Sequence, residues 1–153
     1  MTQYVITEVD GSEPETAAEI IRFNSMVPET IFPALKPHHL TDGYWWIVHY
    51  GDEPVAFAGM TAFEPFQKYG IGYFKRCLVV PDHRGRGAGL QLRLMVTRET
   101  KARRLGWTML VSDCAESNIH SARNFRLAQF DQCFPEQPWA ETNGPSLYWV
   151  KAL

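Results

Sequence analysis

The run V-V-P-D-H-R-G-R-G-A-G-L at residues 79–90 most tightly limits what this chain can fold into. A β-branched stretch meets Pro81, which lacks the N–H that a sheet ladder needs, so a strand has to stop there. Glycine then recurs at positions 85, 87 and 89, in the company of Arg84 and Arg86, and after Leu90 no breaker occurs until Gly106. A strand, a glycine turn and a helix in that order present unpaired backbone N–H groups at the positive end of the helix dipole. Such an arrangement attracts anions, phosphate above all. Glycine lets the backbone approach phosphate oxygens and adopt φ > 0, and the arginines add charge-assisted hydrogen bonds. The spacing excludes two nucleotide loops: neither G-x-x-x-x-G-K-[ST] nor G-x-G-x-x-G is present, because the glycines take alternate positions.

The flanking sequence supplies the elements such a turn needs. Residues 14–26 read as a helix, with Ala17, Ile20, Ile21 and Asn24 on or near one face. Pro28, Pro33 and Pro37 break the next stretch into loop or short helical turns. The aromatic and β-branched residues 44–50 predict a strand, residues 51–54 a turn and residues 55–63 a second strand, together a hairpin. A polar turn at 67–70 leads into a third strand at 71–80. Beyond the glycine turn, residues 90–105 form a helix with the apolar arc Leu90, Leu94, Met95, Ala102 and Leu105, interrupted by Arg98. Gly106 caps it. Residues 107–114 read as a buried strand, residues 117–130 as a helix with Asn118 in its first turn, and S-L-Y-W-V-K-A-L as a last strand. The sum is an α+β or mixed α/β layer architecture.

Residues 1–153 carry no repeat and no Gly/Ser-rich linker, so a single domain is expected. Apolar residues at 45% against 21% charged specify a packed core rather than disorder. A net charge of -2 gives no global reason to expect nucleic acid or an anionic membrane as partner. No apolar run approaches the roughly 20 residues of a spanning helix. The opening M-T-Q-Y-V-I-T-E-V-D-G-S-E-P-E lacks the basic-then-apolar pattern of a signal peptide. Cys77, Cys114 and Cys133 are odd in number and lack metal-ligand spacing, which points to reduced thiols, a cytoplasmic setting and no metal.

The segment V-V-P-D-H-R-G-R-G-A-G resembles the coenzyme-A-binding signature R/Q-x-x-G-x-G/A of the GCN5-related N-acetyltransferase (GNAT) family, met here by Arg84, Gly87 and Gly89. The family's strand ending in V-x-P is matched by Val79, Val80 and Pro81, and E-S-N-I-H-S-A-R-N-F after the following strand stands where the family has its second motif. The resemblance covers most of the chain from about Trp45 onward. It implies a three-layer fold with a central, mostly antiparallel, twisted sheet, splayed in the middle and carrying helices on both faces. It also implies acetyl-coenzyme A as cosubstrate. The pantetheine arm would lie along Cys77, Leu78 and Val79 like an added strand, with a backbone N–H there holding the oxyanion. The pyrophosphate would rest on Arg84, Gly85, Arg86, Gly87, Ala88 and Gly89, and Asn118 would touch the cofactor arm.

The second motif departs from the family's N-x-x-A-x-x-L-Y followed by G-F: Ser121 and Asn124 fill the small and leucine slots, Phe125 the tyrosine slot, and Gln129 the glycine slot. Phenylalanine cannot donate a proton to the leaving thiolate, though Phe125 can pack against the thioester sulfur. Proton delivery then falls to water or another side chain. The amine itself must be deprotonated. Asp113, ending the strand five residues before Asn118, is the first candidate base, and Glu64, ending the second hairpin strand, the next. Tyr73, His38 and His39 stand behind them, and Cys77 and Cys114 read as core residues rather than acyl carriers. The loops around Met26, Ile31, Phe32, Phe134 and Trp139, with acids at Glu29, Glu136 and Glu141, suit a small amine or a peptide N-terminus as acceptor. Arg93, Arg98, Lys101, Arg103 and Arg104 read as a solvated helix face. Two further readings stay open, a non-catalytic acyl-coenzyme-A-binding module and an interaction protein that keeps the fold. A homodimer is common in the family, but no residue here establishes one.

Overall fold

The computed structural model describes residues 3–29, 31–63, 70–85, 87–139 and 144–153. The elements are β1 (Tyr4–Val9), α1 (Pro14–Asn24), α2 (Pro37–Leu40), β2 (Tyr44–Tyr50), β3 (Glu53–Ala62), β4 (Ile71–Val79), α3 (Leu90–Arg104), β5 (Met109–Ala115), α4 (Ile119–Leu127), β6 (Asp131–Cys133) and β7 (Ser146–Ala152). The strands hydrogen-bond in the order β1-β2-β3-β4-β5-β7-β6. Every register recorded is antiparallel except the parallel pairing of β4 with β5. The fold is therefore the mixed α/β class expected, with a mostly antiparallel seven-stranded sheet flanked by helices. Two of its strands were not anticipated: β1, which pairs with β2, and the three-residue β6, which pairs with β7.

Two compact units share the chain. The first comprises residues 1–61 and 75–90, the second residues 62–74 and 91–153. In the first, Pro14 starts α1 at a position where its missing N–H costs nothing. The helix buries Ala17, Ile20 and Phe23 against Leu40, Trp45, Ile47, Phe57 and Leu78. Full burial of each large side chain is worth about 1.5–3 kcal/mol, so this cluster anchors α1 on the β2–β3 hairpin. Strand β4 departs from regular geometry at Arg76, whose φ of 42° is rare for a non-glycine residue and marks a local irregularity in the strand.

In the second unit, the inward face of α3 is Leu94, Met95, Arg98 and Ala102, all buried, whereas Leu105 is exposed. Arg98 thus belongs to the core and not to a solvated face, which corrects the sequence reading. Its guanidinium sits 4.0 Å over the Phe74 ring, and its Nε donates to the carbonyl of Leu94 (3.2 Å). Weak hydration of guanidinium and the aromatic face make that burial tolerable. On the same side of the sheet, Phe130 packs on Phe74 (5.6 Å), and Phe125 of α4 stacks on Trp149 of β7 (5.4 Å, 8°) and meets Phe130 edge-on.

Candidate active site

In the first unit, β4 ends at Val79 and a single 3₁₀ turn, Pro81–His83, leads into the glycine segment. Gly85, Gly87 and Gly89 have φ of 68°, 74° and 59°. A Cβ built on any of them would meet no atom within 4 Å. The demand for glycine here is conformational, and a side chain would meet only open space. Arg84 is exposed, and its Nε donates to the Val79 carbonyl at 2.6 Å, which ties the start of the turn to the end of the strand. His83, which the sequence reading passed over, is buried, and its Nδ1 is hydrogen-bonded to the Tyr4 hydroxyl (2.9 Å). Leu78 is buried, while Cys77 and Val79 are half-buried. Arg86 and Glu64 lie outside the described residues.

His38 and His39 sit exposed in α2. His39 is held below its ordinary pKa by partial burial first, then by the charges of His38, Lys75, Arg76 and Lys36. Half-buried Lys75 is likewise lowered, chiefly by burial. Of the residues expected around an acceptor, Met26, Ile31 and Phe134 are exposed, and Phe32 lies 5.3 Å beneath the Arg76 guanidinium.

In the second unit, the parallel register pairs Ile71 with Met109, Gly72 with Leu110 and Tyr73 with Val111, and stops there. That register brings Tyr73 to Asp113, two residues beyond Val111 on the same face. The Tyr73 hydroxyl donates to Asp113 Oδ1 at 2.5 Å. Burial pushes the Asp113 carboxyl above its usual value, and the Tyr73 hydrogen bond partly opposes this by favouring the charged form. A carboxylate made more basic by desolvation and still oriented by a phenol is suited to accept a proton. On the same face, β4, β5, β7, Phe63 and Trp139 line a cavity of about 220 Å³.

Asn118 is the N-cap of α4, its Oδ1 accepting from the Ser121 N–H at 3.1 Å. Phe125 is buried between Trp149 and Phe130. Asn124 and Ser121, the other substituted slots, are held by Gln91, whose side chain accepts from Asn124 Nδ2 (2.7 Å) and donates to Ser121 Oγ (2.8 Å). Cys114 accepts from Trp149 Nε1 at 3.3 Å, and burial pushes its thiol up, as it does that of Cys133, so neither is poised as a thiolate nucleophile. Among the described residues, no group of three or more His, Cys, Asp and Glu side chains is arranged to hold a metal ion. Likewise, no helix among them is long and apolar enough to cross a membrane.

The family model of the acetyltransferase (GNAT) family matches residues 12–130. Solved structures share the fold at low identity. An acetyltransferase of the GNAT family from Streptococcus pneumoniae superposes with a TM-score of 0.76 at 14% identity, covering 99% of each chain. A Bacillus subtilis acetyltransferase in complex with CoA gives 0.70 at 14%, again with 99% of each chain covered. A Salmonella typhimurium structure holding its cofactor acetyl-CoA gives 0.75 at 16%, covering 97% of this chain and 93% of that one. No curated protein matches the chain.

Proposed function

Since the chain belongs to the acetyltransferase (GNAT) family, we propose that it moves an acetyl group from acetyl-coenzyme A directly to a primary amine of a small molecule or a peptide N-terminus. The observation that carries this reading is the row of three alternate left-handed glycines, φ 68°, 74° and 59°, opening onto the start of α3 beside Arg84. Alternating left-handed residues turn successive N–H groups to one side and form a concavity for anions, which suits the pyrophosphate of coenzyme A. The irregularity at Arg76 lies directly before Cys77, Leu78 and Val79, the stretch where the pantetheine arm would lie, which supports a role for that stretch. Asn118, with Oδ1 engaged as a cap, would offer its Nδ2 to that arm.

The chemistry follows from the groups on hand. Asp113 takes a proton from the acceptor ammonium, and Tyr73 holds the carboxylate in place. The free amine attacks the thioester carbonyl, forming the N–C bond, and a strand N–H stabilises the oxyanion. Collapse breaks the C–S bond and expels the coenzyme A thiolate; the proton still on the attacking nitrogen passes to solvent, and the thiolate takes one from water, since Phe125 has none to give. The proton on Asp113 returns to solvent.

Titration calorimetry with acetyl-coenzyme A tests the reading on the wild type and on Arg84→Ala/Gly87→Asp. Binding by the wild type that is lost in a folded variant is expected, together with thiol release when an amine is added. No binding by the wild type would overturn the reading. Binding with no turnover on any amine would leave an acyl-coenzyme-A-binding module instead.

A further inference from the structure

We propose that the acceptor amine carries one uncharged apolar group of phenylethyl size, received by the cavity beside Asp113 in the second unit. This rests on the acetyltransferase reading above. The registers of β4, β5 and β7 put Ile71, Met109, Val111 and Val150 on the same sheet face as Tyr73, Asp113 and Tyr148. Above that floor, Phe63 stacks on Tyr73 (5.6 Å, 19°) and meets Trp139 edge-on (5.4 Å), and Trp139 in turn meets Tyr148 edge-on (4.9 Å). The rings therefore form one continuous wall running from the cavity to the residues that flank the carboxylate.

The volume of about 220 Å³ shows what the recess has room for. A cavity of roughly 150 Å³ with apolar walls accepts benzene, so this one has room for a ring and a short linker. Val111 and Asp113 lie about 7 Å apart along the strand, close to the full length of a phenylethylamine from the far edge of its ring to its nitrogen. Among the described residues, no lining side chain is charged. A polyamine, an amino sugar or a chain bearing a carboxylate would leave a charged or polar group desolvated without a partner. At the same wall, Trp139 Nε1 is buried with no acceptor among the described residues. A ring that bears a hydroxyl or ether oxygen could meet that demand and would bind better than a bare ring.

The full chain is assayed for acetyl-coenzyme-A-dependent thiol release with 2-phenylethylamine, ethylamine, spermidine and a tripeptide. We expect kcat/KM for 2-phenylethylamine to exceed that for ethylamine by about tenfold or more, in line with the worth of buried methylenes in a pocket. Cys133→Phe intrudes on the cavity from the short edge strand β6, and should reduce that ratio by about tenfold. In parallel, 2-phenylethylamine is titrated into the wild type and the Trp139 indole N–H resonance is followed, assigned with Trp139→Phe. This needs neither turnover nor a folded Cys133→Phe variant. A saturable shift supports the pocket even if no amine is acetylated, in which case the transferase reading alone fails. No shift, or a preference for spermidine or the tripeptide that Cys133→Phe does not alter, overturns the inference.

Discussion

Replacing Gln129 with glycine should stabilise this protein, and the structure supplies both the magnitude and an internal control. Helix α4 ends in a Schellman motif: Phe130 N–H bonds to the Phe125 carbonyl (2.9 Å), Gln129 N–H to that of Arg126 (3.0 Å), and the Phe130 ring packs on Phe125. The motif requires a left-handed residue at its fifth position, and Gln129 takes it with φ 67°. Helix α3 ends in the same way. Trp107 N–H reaches the Ala102 carbonyl (3.0 Å) and Gly106 N–H that of Arg103 (3.1 Å), with Gly106 at φ 77°. A side chain in this conformation costs about 1–2 kcal/mol. Glycine returns ~0.5–1 kcal/mol of that through its greater freedom in the unfolded chain. Gln129→Gly should therefore gain ~0.5–1 kcal/mol, raising Tm by roughly 1–4 °C in a chain of this length. Gly106→Ala should lose a similar amount, because its added Cβ meets no atom within 4 Å and only the backbone pays. Urea and thermal unfolding of both variants measure the pair. A Gln129→Gly protein no more stable than wild type, or a neutral Gly106→Ala, would refute the assignment of strain to this position.

Asp113→Asn should lower turnover by about 10²–10⁴-fold, the usual contribution of a positioned base. Because the folded carboxyl of Asp113 lies above its unfolded value, its stabilising effect is present at low pH and is lost as pH rises through the folded pKa. Wild-type urea midpoints should fall over that window, while those of Asp113→Asn stay level; parallel curves would contradict the shift. Tyr73→Phe removes a donor that favours the charged carboxylate, so the acid limb of the pH–rate profile should move to higher pH. An unmoved limb would separate Tyr73 from the base. Arg98→Ala empties a buried site and removes a stacked guanidinium, and should cost about 3 kcal/mol in urea unfolding; a loss under ~1 kcal/mol would mean that the side chain is not part of the core.

The features legible from sequence were those that a single residue type signals through its backbone. Pro81 had to end a strand, glycines at 85, 87 and 89 were free to take φ > 0, and Asn118 suited a helix start; in the structure β4 ends at Val79, the three glycines have φ > 0 and Asn118 is the N-cap of α4. Periodicity placed β2 on its observed residues and α1 within two. It misread Arg98, because hydropathy scores a charge and not the aromatic face beneath it. It left out β1, although Tyr4–Val9 is rich in β-branched residues, and β6 was too short for any period to register.

What no local pattern encodes is register. Tyr73 and Asp113 are 40 residues apart, and they meet because Tyr73 pairs with Val111 and not with a neighbour. A slip of one residue would turn Asp113 to the opposite face, among Phe125, Trp149 and Cys114, where a carboxylate would find neither the phenol nor the cavity. The same slip would bury Met109 and Val111 in the wrong layer, so the apolar face that holds the strands in place also fixes the base. Whatever chemistry Asp113 performs is thus set by core packing as much as by the carboxylate itself. For the same reason, substitutions at Ile71 or Met109 that loosen this pairing should reduce turnover while leaving the glycine turn intact.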